Sequence, residues 1–285
     1  MSTPVIPTED PQAKSFFGII VHSFFVVPFL IAVFGVLLFA AVRLLTLEEH
    51  TIYDYLNDIK SGGATKRWQA AFELSKVVTN PKLITDEERF TSEVISAFNH
   101  AAHDDNRVRQ YLALTMGRTG NENFVRPLLS ALTDENEGNL YAVIYALGML
   151  KSKDAANAIR PFLDHPNSKV RLASVIALGN IADTKAIGDL KQSLNDSEPN
   201  VQWDAAIALA KMKVASGKDV LRNLLTREYL KGFPEVDLQE QTHMLLVAIE
   251  AASVLNDPDL NTLIKHLADN DQNMNVRKKA MDILK

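Results

Sequence analysis

Residues 170–183 read VRLASVIALGNIAD, and near-copies stand one period to either side, NLYAVIYALGML from Asn139 and VQWDAAIALAKM from Val201. Gly117, Gly148, Gly179 and Ala210 lie 31 residues apart; Val108, Asn139, Val170 and Val201 keep the same interval nine residues ahead of them. A period of this length is the mark of stacked supersecondary units, each unable to bury its apolar face alone. Fainter copies start at Lys66 (KRWQAAFELSKV), Leu246 (LVAIEAASVLND) and Asn275 (NVRKKAMDILK). About seven units fit between Thr46 and Lys285.

Each unit reads as two helices. The first carries apolar residues at helical spacing, as in Ile159, Phe162 and Leu163, or Ile187, Leu190 and Leu194. Loops such as DHPNSK and NDSEPN stop that helix and cap the next. The second helix is small and apolar: Ala173, Ser174, Ala177, Leu178 and Ile181 let neighbouring units approach closely. Thr46 and Glu49 have the spacing of a capping box that would open the first unit, and Ser61-Gly62-Gly63 would close its first helix. The expectation is an all-α solenoid of helical hairpins over residues 46–285.

Ahead of it, Phe16 to Val42 are 27 residues without a formal charge, and His22 is their only ionisable side chain. At about 1.5 Å per residue the run would be roughly 40 Å long, against about 30 Å of bilayer hydrocarbon. It is longer than a signal-peptide core and has no basic segment before it. A single uncleaved transmembrane helix within residues 15–45 is expected, with residues 1–14 disordered around Pro4, Pro7 and Pro11. A buried core helix is the alternative. Arg43, Lys60, Lys66 and Arg67 follow the run and only Lys14 precedes it, so the basic bias places the repeats in the cytoplasm, at a cell membrane of bacterial inner-membrane type.

The net charge of −5 argues against a nucleic-acid partner, and the absence of cysteine rules out disulfides and thiolate metal sites. His100, His103, Asp104 and Asp105 bring two imidazoles near two carboxylates, a beginning for zinc that lacks further ligands; a solvated helix end is the plainer reading. Gly217-Lys218 has neither the upstream glycine nor the following hydroxyl of a phosphate loop. With no nucleophile, metal or dinucleotide motif, the expectation is no catalytic residue, no metal, no cofactor and no enzyme.

The pattern V-R-x-x-A-x-x-A-L-G, best matched by Val170-Arg171 through Gly179 and by Val108-Arg109 through Gly117, resembles the bacterial HEAT-like repeats also found in phycobilin lyases. The resemblance covers nearly all of residues 46–285. It implies a binding scaffold more than a particular chemistry. It also implies that Arg67, Arg109, Arg171 and Arg277 pair with an acidic or carbonyl group of a neighbouring unit rather than forming an anion-binding row. Asp134, Asp164 and Asp196, in the loops between helices, read as helix caps. Gln202 and Asn139-Leu140 depart from the pattern, and the units near residues 82–98 and 227–240 are longer.

In that family the residues two and six places after the Val face the concave surface and are polar. Here they are Tyr141, Leu172 and Trp203, and Leu114, Tyr145, Ile176 and Ile207. These seven residues would form an aromatic and aliphatic stripe, read either as a partner-binding groove or as core; the groove is favoured for Tyr141, Tyr145 and Trp203. The function expected is a membrane-anchored protein-binding scaffold that assembles or stabilises a membrane protein complex. Its partners would be other proteins, membrane-complex subunits among them, with lipid along residues 16–42. The alternatives are an accessory subunit of a transporter or respiratory complex held by its transmembrane helix, and a chaperone- or lyase-like subunit.

Overall fold

The computed structural model describes residues 22–46, 50–103 and 105–285. The segment expected to be disordered, 1–14, and residues 16–21 of the apolar run lie outside the described residues. The chain falls into two units, Met1–His50 and Thr51–Lys285.

In the first unit a π-turn over His22–Val26 leads into helix α1 (Val27–Thr46). Phe24–Arg43 is long and apolar enough to cross a membrane, by length and composition, and none of it is buried. A helix apolar on every side has no polar face to turn to water.

The second unit is an α-solenoid, and no strand occurs among the described residues. Seven hairpins follow one another. They are α2 (Ile52–Ser61) with α3 (Ala64–Val77), α4 (Glu87–His100) with α5 (Asn106–Thr119), and α6 (Val125–Ser130) with α7 (Glu137–Leu150). Next come α8 (Lys153–Ile159) with α9 (Ser168–Ile181), and α10 (Ile187–Gln192) with α11 (Pro199–Lys211). The sixth hairpin is longer: α12 (Lys218–Leu224) and the short α13 (Arg227–Leu230) precede α14 (Leu238–Leu255). The last pairs α15 (Pro258–Asn270) with α16 (Met274–Ile283). The capping box that opens the solenoid is Thr51 with Asp54, not Thr46 with Glu49: Thr46 ends α1. Two Thr-x-x-acid pairs lie within nine residues, and spacing alone does not choose between them. Gly62 caps the C-terminus of α2 as its sequence suggests.

The glycine period has a steric cause. A Cβ on Gly117 would lie 2.8 Å from the Ala146 Cα, one on Gly148 2.5 Å from the Ala177 Cα, and one on Gly179 2.6 Å from the Ala208 Cβ. Each second helix therefore rests on the small face of the next, and only hydrogen fits at the crossing. The turns after these helices repeat as well: Gly120, Lys151, Ala182, Lys213 and Asn256 all take positive φ. Left-handed residues at this place end a helix and turn the chain back.

Arg109 and Arg171 join units, as their family role implies, whereas Arg277 bonds a carbonyl of its own hairpin. Arg109 Nε donates to Asp134 at 2.8 Å and its Nη1 to the Phe98 carbonyl at 2.9 Å. Arg171 is bidentate on Asp196 at 2.7 and 2.8 Å. Asp134 and Asp196 are thus arginine partners as well as caps: each closes the turn before a second helix, and their Oδ1 atoms accept from the N–H groups of Asn136 and Glu198 at 3.0 and 2.9 Å. Asn136 and Asn167 cap α7 and α9, and Asp164 ends the turn after α8. Where the pattern loses its arginine, at Leu140, the loop position of Asp134 and Asp196 is taken by His165, so both members of the pair are replaced together. In the sixth hairpin Arg227 takes over the task and grips Asp271 at 2.7 and 2.9 Å, while Arg277 donates to the Asp271 carbonyl at 2.6 Å.

Candidate functional site

Helices α5, α7, α9 and α11 lie side by side, and the stripe read from the sequence runs across them. Leu114, Tyr141, Tyr145, Leu172 and Ile176 are half-buried, so each offers part of its surface to solvent. Tyr141 and Tyr145, one helical turn apart, stack with ring centroids 6.1 Å apart and planes 6° apart. Burial raises the Tyr141 phenol above its ordinary value, with further contributions from Tyr145 and Asp204. Asp204 is half-buried on α11, two helices on from Tyr141 on α7, with α9 and its half-open Leu172 and Ile176 between them.

Trp203 and Ile207 are different. They are only 2% and 3% exposed, so the expectation that they line an open groove does not hold. The cause is the long sixth hairpin. Its Tyr229 and Phe233 fold against Trp203: the indole N–H donates to the Tyr229 hydroxyl at 3.1 Å, and the Trp203 and Phe233 rings meet edge to face at 4.9 Å. Tyr229 and Phe233 also pack on each other at 5.2 Å. An aromatic lock closes one end of the stripe and leaves Tyr141, Tyr145, Leu172 and Ile176 uncovered.

At the boundary between the closed and open parts stands Asp204, which motif reading passes over. Its counterparts in the two preceding units are Ala142 and Ala173, buried small residues of the helix layer. Burial pushes its carboxyl up to about 6, opposed by the charges of Lys211 and His243, and no hydrogen bond contributes. An acid in an alanine's place was the visible signal. Its meaning depends on neighbours far away in sequence.

The remaining candidates fall elsewhere. His100 ends α4, His103 lies in the following turn, Asp105 caps α5 and pairs with Arg107 at 2.6 Å, and Asp104 is outside the described residues. Lys218 binds Asp257 and Asp259 at 2.6 and 2.8 Å, across to the last hairpin. Among the described residues no group of three or more His, Asp or Glu side chains is placed to hold a metal ion.

Comparison with known proteins gives this architecture its kin. HEAT repeats match residues 95–165 and 156–230. The chain is 26% identical over 159 residues to the bilin biosynthesis protein PecE of Nostoc sp. (strain PCC 7120), covering 55% of this chain and 59% of that one. It is 27% identical over 160 residues to PecE of Mastigocladus laminosus, covering 56% of each. The chain thus spans less than two thirds of the curated relatives it matches. Among solved structures, the complex of CpcE and CpcF of phycocyanin lyase from Nostoc sp. PCC7120 shares the fold. Its TM-score is 0.57 and its identity 22%, over 84% of this chain and 96% of that one.

Two expectations change. Proteins of bilin biosynthesis stand among the relatives, so the conclusion that the chain is no enzyme does not stand. Motif absence misled because it tests only for known constellations, whereas the repeat's resemblance to phycobilin lyases already carried the signal. The same relatives agree better with the chaperone- or lyase-like subunit, one of the alternatives, than with the membrane scaffold that was the leading expectation.

Proposed function

We propose, because this chain is a HEAT-like repeat protein, that its solenoid serves as a chaperone- or lyase-like subunit that handles an open-chain tetrapyrrole together with a protein partner. The observation that carries this reading is the 26% identity with PecE over 159 residues. The half-open stripe of Leu114, Tyr141, Tyr145, Leu172 and Ile176 is the surface we assign to contact with that partner; its amphipathic aromatic side chains suit such a role. The test is to mix the full chain with a bilin, with and without an apo-biliprotein acceptor, and to record absorbance and fluorescence. A shifted bilin spectrum, or faster attachment to the acceptor, is expected. Spectra that match free bilin under both conditions overturn the reading.

A second proposal concerns place. Residues 16–42 would hold the protein in a membrane, with the repeats on the cytoplasmic side. The unburied apolar face of α1 supports the anchor, and the basic residues after it support the orientation.

A further inference from the structure

Asp204 is an acid where the two preceding units carry a buried alanine, Ala142 and Ala173. Nothing bonded to it explains its presence. The causes acting on it are burial and the distant charges of Lys211 and His243, with no hydrogen bond among them. Lys211 and His243 are both exposed, and Lys211 also acts on Glu250, which already bonds Lys279 at 2.9 Å. A carboxylate kept half out of water without a partner destabilises the fold, and Ala142 and Ala173 show that the repeat needs no acid there.

Around it the surface has a definite chemistry. On one side lies the Tyr141–Tyr145 stack, whose faces carry the negative quadrupole of aromatic rings. Leu172 and Ile176 lie on the helix between, half-open, and beyond Asp204 the Trp203–Tyr229–Phe233 lock ends the apolar surface. Aromatic faces and an unpaired carboxylate that share one half-open surface complement a cation carried on an apolar stem. The side chains of that description are arginine and lysine, whose stems pack on aliphatic surface while the head finds its charge partner.

We propose that this surface receives a polypeptide segment of the protein partner that inserts an arginine or lysine between the tyrosine stack and Asp204, with flanking apolar residues on Leu172 and Ile176. This rests on the proposed existence of a protein partner, not on the proposed chemistry with a bilin. The aromatic lock shows that the Trp203 end of the stripe takes aromatic side chains of a polypeptide. The open end differs by having a charge to satisfy.

The probe is a display library of random linear peptides, selected on the full chain and then measured singly as fluorescent peptides. Selected sequences are expected to carry Arg or Lys flanked by apolar residues. D204N is expected to weaken them by roughly tenfold or more, and Tyr141→Ala to weaken them as well, both with the unfolding transition preserved. Asp204→Lys is expected to turn the selection toward acidic peptides. Agmatine and free lysine, added as competitors, are expected to displace nothing at concentrations where the peptides saturate. The proposal is overturned if selected peptides lack a basic residue, if D204N binds them as well as the parent chain, or if agmatine binds as tightly as the peptides. None of these readouts involves a tetrapyrrole, so the bilin experiment can fail while this one succeeds, and the reverse.

Discussion

Gly148 on α7 rests on the backbone of Ala177 on α9: a Cβ at Gly148 would lie 2.5 Å from the Ala177 Cα and 2.7 Å from its Cβ. Since these neighbours are backbone and a methyl that cannot swing away, Gly148→Ala is expected to force the two helices apart. The cost should be about 1–3 kcal/mol of unfolding free energy. Gly188, inside α10, has nothing within 4 Å of its added Cβ. Gly188→Ala should instead stabilise by about 0.5–1 kcal/mol, through helix propensity alone. Urea unfolding of the two variants checks both signs, and a destabilised Gly188→Ala would refute the propensity argument.

Trp203 is held by the lock, so its removal should be costly. Trp203→Ala is expected to destabilise by about 3–5 kcal/mol. Tyr145→Ala, at a half-open position, should cost about 1 kcal/mol or less. Thermal unfolding measured side by side decides the matter: similar losses from both would mean that the stripe is uniformly core.

Asp271 is almost fully buried beneath Arg227, their side chains 2% and 12% exposed. Burial pushes the Asp271 carboxyl up, but the Arg227 hydrogen bond and the Asn273 N–H outweigh it and leave the carboxyl below its ordinary value. A depressed folded value means that this stabilisation is fully present above the unfolded value of about 3.9 and is lost as pH falls through the folded one. Asp271→Asn should strand the arginine charge and cost about 3–5 kcal/mol at neutral pH. The gap between variant and parent should narrow below about pH 4. Unfolding midpoints collected from pH 2.5 to pH 7 test it; a pH-independent gap would contradict the linkage.

Asp204 has the opposite sign. Its carboxyl is raised to about 6, so the folded state holds the proton more tightly than the unfolded one. Its contribution to stability therefore declines as pH rises from about 4 to about 6 and is level above that. D204N removes the ionisable group, and the variant should be more stable than the parent at pH 7, by about 1–2 kcal/mol. The difference should fade toward pH 4. A variant less stable than the parent at pH 7 would show that the carboxylate is satisfied in the fold, and would remove the ground for a cationic partner.

The anchor is open to a direct measurement. A chain lacking residues 1–50 should be recovered in the aqueous fraction after carbonate extraction, while the full chain stays with the membrane. Loss of the full chain to the aqueous fraction would refute anchoring through residues 16–42.

Much of the fold was legible because it is local and periodic. The regular hairpins repeat every 31 residues, a glycine stands where α5 meets α7, α7 meets α9 and α9 meets α11, and loop polar residues end one helix and cap the next. The Arg109–Asp134 and Arg171–Asp196 pairs join adjacent units at one spacing, 25 residues, so they repeat as the sequence repeats. What broke the period was decided in three dimensions. Trp203 lies in the same register as Tyr141 and Leu172, yet it is buried because Tyr229 and Phe233, in an insertion with no counterpart in the other units, fold onto it. Arg227, from the same insertion, supplies the charge that Asp271 requires, 44 residues away. Asp204 reads as an ordinary polar residue until its helix is stacked into the solenoid, where burial without a hydrogen-bond partner pushes its carboxyl up. Periodicity states which face of a helix looks inward; whether a given site on that face meets water, a ring or a distant segment depends on contacts that no local pattern encodes.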